Sequence, residues 1–365
     1  MKKSYLVEGY RFVIAISIMI FHFLKTWSNT NNLRQGVEFF FVLSGFLLMA
    51  HCEKASGVGG ETVGKLMVGK LKSVYPETFV VFWMAAIAVT VLEKKNFWTL
   101  VYQHLHQLLF VTNIFREKAS WLSGTGQLWF VMSQIWGTLI LAWLVKTHRN
   151  AYENILAPFL IVGGYAIVIR CSGNLNASLY LTIGEHKIFL PILLLRALAG
   201  LTCGTVGYMG FKKLNGLNYT KFAKRAGTAL SLLCFSMALM ITTHSSKHPI
   251  NSYNWRGMIV VLLYTVSIVL AFIFAQEYPI GDISRKLCAI GGRLSMSFYM
   301  THMLVLYIMG RIFDMPYFRK RWLLIFFTGT VILSILFDVC VKLLRKGWAA
   351  FMVWLKKMCI AEPIE

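Results

Sequence analysis

The chain has 365 residues, of which 57% are hydrophobic, 15% aromatic and only 14% charged, with a mean hydropathy of +0.61; soluble domains carry about a quarter charged residues. Its 37 Lys and Arg against 15 Asp and Glu give a formal net charge of +22. In a soluble chain that excess would point to nucleic acid, but among apolar blocks it fits loops that grip anionic lipid headgroups and cationic sites within a bundle. Composition therefore argues against a soluble enzyme and a nucleic-acid partner. It predicts an all-α, polytopic transmembrane helical bundle, with residues 1–365 as a single integral membrane domain and too little soluble sequence for a separate catalytic one.

About ten apolar spans are predicted, at 10–27, 35–52, 76–92, 127–145, 154–170, 190–211, 226–243, 257–275, 291–310 and 322–344, each near the twenty or so residues a bilayer requires. The first has a Lys2–Lys3 flank but no small-residue cleavage site, and it contains an Arg and a His, so it reads as a retained helix. The stretch 97–115, FWTLVYQHLHQLLFVTNIF, is broken by two His and two Gln and reads as an interfacial or re-entrant segment. With the N-terminus placed in the cytoplasm, the larger share of the basic residues falls on inner loops, which predicts cytoplasmic N- and C-termini. The seven cysteines are scattered, without C-x-x-C or Cys/His ligand spacing, so neither disulfides nor a metal site is indicated.

Ionisable side chains inside membrane spans are costly and point to function by default. In the first span Arg11 and His22 are eleven residues apart, which brings them onto one helical face about 16 Å apart along the axis. In the second, Glu38 and Gly45 also share a face, and the glycine allows another backbone to approach beside the acid. A carboxylate near an imidazole would orient it, which makes Glu38 the candidate partner for His22.

These residues carry a likeness to a known family. Arg11, ten residues and then His22, followed by Gly36-Val37-Glu38-Phe39-Phe40-Phe41-Val42-Leu43-Ser44-Gly45-Phe46, together resemble the acyltransferase 3 family of membrane-bound O-acyltransferases. Weaker patterns follow in family order over nearly the whole chain. Lys70 and Lys72 precede Tyr75-Pro76 where the family usually has arginines, a change that keeps the charge but loses the bidentate fork. Trp129 and Gln134 lie in a segment where many members read Trp-Ser-Leu-Ser-Val-Glu, so Gln134 replaces an acid and is not an acid/base candidate. Arg196 opens a stripe with Gly200, Gly204 and Gly207 that should pack tightly and turn the arginine inward. Ser295 to His302 is similar to the family's late Ser…Tyr-Leu-x-His segment.

The resemblance implies a membrane O-acetyltransferase with acetyl-CoA as donor, a cell-surface or lipid-linked saccharide as acceptor, and the cell's inner membrane as location. His22 and Glu38 become the catalytic candidates. Arg11, Lys70, Lys72 and Arg196 are the candidates for the donor's phosphates; Ser44, Trp129, Gln134 and His302 are those for the acceptor. His22 could act as general base or as nucleophile, and the sequence leaves both open. One further expectation is geometric: Arg11 and His22 line a single groove that the pantetheine arm threads. The competing readings are a transporter or flippase for a saccharide precursor, and the other large class of membrane O-acyltransferases with His302 as its catalytic histidine.

Overall fold

The computed structural model describes residues 4–25, 33–54, 62–112, 121–172, 180–183, 186–189, 191–243, 255–275, 281–313 and 320–359. In chain order the helices are α1 (Tyr5–Lys25), α2 (Gly36–Lys54, entered through a 3-10 turn, Leu33–Gln35), α3 (Val63–Glu93), α4 (Phe97–His104), α5 (Leu128–Thr147), α6 (Arg149–Ala151), α7 (Ala157–Ser172), α8 (Ile192–Asn215), α9 (Lys221–Thr243), α10 (Trp255–Phe274), α11 (Asp282–Ile312) and α12 (Leu323–Cys359). Between α7 and α8, Tyr180–Ile183 and His186–Phe189 pair as two antiparallel strands, and the other regular elements among the described residues are helical.

Nine helical segments among the described residues are long and apolar enough to cross a membrane, and they coincide with nine of the ten predicted spans. The tenth predicted span is the apolar half of α11, whose first turns hold Asp282, Arg285, Lys286 and Arg293. α3 begins thirteen residues before its predicted span and runs through Pro76. The stretch from 97 does not span: α4 and a 3-10 turn at Leu105–Gln107 bury Leu100, His104 and Gln107 while leaving Trp98 and Tyr102 exposed, the pattern of an interfacial helix. Residues 113–115 lie outside the described ones.

The bundle's outer surface is apolar. Val91, Val162, Leu262 and Leu324 are all more than half exposed, an arrangement that is unfavourable in water and neutral against lipid tails. Inside, α8 is the hub, contacting α2, α5, α7 and α10, while α1 lies along α11. Small residues permit these approaches. A Cβ on Gly204 would overlap the Val42 carbonyl oxygen, and one on Gly45 the Leu201 carbonyl oxygen, so α2 and α8 meet backbone to backbone. On the other seam, a Cβ on Gly292 would strike the Glu8 carboxylate and one on Gly291 the Phe12 ring. Both seams run between helices of the same direction, so α1 and α11 start at one end of the bundle and α2 and α8 at the other.

Candidate active site

The α2–α8 seam holds a buried ion pair. Arg196 Nε donates to Glu38 Oε1 at 2.5 Å, and the Tyr165 hydroxyl of α7 donates to Glu38 Oε2 at 2.6 Å. Glu38 is completely buried and Arg196 is 4% exposed, its guanidinium 5.3 Å from the centre of the Trp129 ring. A charge removed from water persists only with a partner and hydrogen bonds to satisfy its remaining atoms. Gly200 leaves room for this, because a Cβ there would crowd Phe41, the Tyr165 hydroxyl and the carboxylate itself. Glu38 is therefore bound to Arg196 and Tyr165 instead of to His22, which corrects the expectation that it orients the imidazole.

Two cavities flank this seam. The first, about 470 Å³, lies towards the end of the bundle where α1 begins and is lined by Arg11, Lys70, Glu8 and Glu77, with Ser44 and Gln134 deeper in. Arg11 pairs with Glu8 at 3.0 Å, one helical turn away; Glu77 is gripped by Arg345 of α12 at 2.6 Å. Gln134 Nε2 donates to Ser44 Oγ, so these two residues face the cavity of Arg11 and Lys70 and not that of His22. Lys72 is exposed and outside this lining. The second cavity, about 380 Å³, lies towards the opposite end and is lined by His22, Arg34, Trp121, Gln127, Trp129 and Arg196 among others.

Arg11 and His22 thus do not share a groove. Tyr299 of α11 lines both cavities and stands between them, with Phe130 and Phe40 packed on it at 5.5 and 6.2 Å between ring centres. Its hydroxyl is tied to the Gln127 carbonyl at 3.1 Å. The helical register that aligns Arg11 with His22 holds, but an aromatic partition from another helix divides the space beside them. Arg196, on the His22 side of that partition, is separated from Arg11 and Lys70.

At the second cavity two histidines meet. The rings of His22 and His302 have centres 5.1 Å apart, and the Tyr299 ring lies 5.8 Å from that of His302. His302 is fully buried behind the cavity wall. A family model described as an acyltransferase domain matches residues 5–339. The chain belongs to this acyltransferase family. No curated protein and no solved structure gives a match. The match spans every helix that lines the two cavities, and the acyltransferase is a multi-pass membrane protein by its apolar helices.

Several residues of the acyltransferase's cavities have no role in the sequence reading. Glu8 could have been found, because it precedes Arg11 by three and shares its face. Gln127 and Tyr299 lie inside the motifs that carry Trp129 and His302, but no spacing rule marks them. Arg34 looks like an ordinary loop cation until the turn before α2 brings it over Phe21, 5.8 Å from the ring centre.

Proposed function

We propose that this acyltransferase moves an acetyl group from cytoplasmic acetyl-CoA to a hydroxyl of a cell-surface or lipid-linked saccharide, in the cell's inner membrane and with both termini cytoplasmic. The observation that carries this reading is the chemistry of the second cavity. His22 shares its wall with the indoles of Trp121 and Trp129 and with the side chain of Gln127, whose buried Oε1 has no hydrogen-bond partner among the described residues. A sugar answers each feature: its C–H faces pack on indoles, its hydroxyls donate to an unsatisfied carbonyl oxygen, and one hydroxyl meets an imidazole. The first cavity suits the donor. Arg11 and Lys70 offer cations to the coenzyme's phosphates, and Ser44 and Gln134 offer hydrogen bonds to the amides of its arm.

In this reading the thioester reaches the partition at Tyr299 from one side and the acceptor hydroxyl from the other. His22 removes the hydroxyl proton as the oxygen attacks the thioester carbonyl carbon. The C–S bond then breaks, the proton passes from the imidazolium to the departing thiolate, and the products are the acetyl ester and free coenzyme A. The test supplies labelled acetyl-CoA to membranes containing wild-type or His22→Ala protein at equal levels. The carbohydrate fraction is labelled by the wild type and not by the variant; equal labelling by both contradicts the assignment.

A further inference from the structure

The hydrogen bonds of His302 define its tautomer. Nδ1 lies 2.8 Å from the Tyr299 carbonyl oxygen and 3.1 Å from that of Phe298. Carbonyl oxygens only accept, so Nδ1 carries the hydrogen and Nε2 of the neutral ring presents a bare lone pair. That Nε2 is buried and has no hydrogen-bond partner among the described residues. Buried polar atoms are seldom left so unless a function or a moving partner uses them.

The neighbouring imidazole is placed to be that partner. A ring nitrogen sits about 1.1 Å from its ring centre, so two imidazoles joined by an N–H···N bond of about 2.9 Å have centres about 5 Å apart. The observed separation of His22 and His302 is 5.1 Å, at an interplanar angle of 40°. The separation of the two rings therefore matches that of a hydrogen-bonded imidazole pair. His22 and His302 lie on the α1–α11 seam, where Gly291 and Gly292 let the two helices approach closely. Glu38 does not compete for the role, since Arg196 and Tyr165 hold its carboxylate.

We propose that His302 is a positioning residue for His22. Its Nε2 receives the N–H of the His22 ring and so fixes the tautomer whose other nitrogen faces the acceptor cavity. It keeps that bond while His22 holds the hydroxyl proton. His302 thereby takes the part that a carboxylate takes in a triad, and it does not touch the acceptor. This rests on His22 being the base.

The experiment measures release of coenzyme A from acetyl-CoA by membranes containing each variant, separating kcat from the KM for acetyl-CoA. His302→Met keeps the volume and removes the acceptor; kcat falls about a hundredfold with KM within about twofold, the scale expected when a general base loses its orientation. His302→Gln puts a carbonyl oxygen near the position of Nε2 and restores kcat to within about tenfold of the wild type, with folding of both variants checked by thermal unfolding. In a His22→Ala background, His302→Met has no further effect. Wild-type kcat in the Met variant, or a Gln variant as inactive as Met while equally folded, overturns the proposal. Retained activity in His22→Ala alone overturns the underlying assignment, and is read separately.

Discussion

Glu38 and Arg196 are one unit. Each is a buried charge whose ionic partner is the other, so removing one takes away the opposite charge that offsets the remaining one. Glu38→Ala should lower stability by about 3–5 kcal/mol, and the Glu38→Ala/Arg196→Ala pair should lower it by less than the sum of the singles. Thermal unfolding of the purified protein in detergent measures both, and additive losses would show that the pair is not coupled. Sequence alone could place each of these residues inside a helix, but not against one another. They are far apart in the chain, and only the packing of α2 on α8 joins them. The same limit explains why Glu38 looked like the partner of His22: both were read from helical faces, and a face does not say which helix it meets. His302 was legible as a polar residue within a span, and its place beside the His22 ring was not.

At the level of the helices, glycine governs how closely they approach. Gly204→Ala would force α2 away from α8 and should cost about 1–3 kcal/mol, while Val162→Ala on the lipid-facing surface should change stability by no more than about 0.5 kcal/mol. The same unfolding measurement compares them; equal effects would mean that the α2–α8 seam is not as tight as Gly204 and Val42 indicate. The helices themselves were largely readable. Ten apolar runs of bilayer length leave little choice of architecture, and the glycine stripe after Arg196 announced a close contact. Helix ends were less readable because hydropathy reports the apolar part only. α3 extends back through Lys65, Lys70 and Lys72, and α11 through Arg285 and Arg293, where a helix continues on capping and neighbouring packing after apolarity has ended. The strands at 180–189 pair through eight residues too short and too mixed to stand out from a loop.

Across the whole molecule, the decisive feature is the division into two cavities with Tyr299 in both linings. In the function proposed above, the thioester would occupy the cavity of Arg11 and Lys70 and the saccharide that of His22, meeting at the Tyr299 ring with water held away from the thioester until the acceptor is in place. Tyr299→Ala should merge the cavities and let water compete, raising the ratio of coenzyme A released to ester formed. Tyr299→Phe keeps the ring, loses only the hydroxyl's bond to the Gln127 carbonyl, and should hold the wild-type ratio. An unchanged ratio in the alanine variant would remove the partition from the mechanism. None of this was visible in the spacing of Arg11 and His22, because the ring that separates them belongs to α11, nearly three hundred residues further along the chain.

Sealed vesicles of defined orientation test the two-sided arrangement most directly. Labelled acetyl-CoA is added outside inside-out vesicles, and the acetyl ester on carbohydrate is then assayed for protection from an esterase that cannot cross the membrane. The account predicts protected label with wild-type protein and none with His22→Ala. Label that the esterase removes completely, or protected label that persists in His22→Ala, would contradict it.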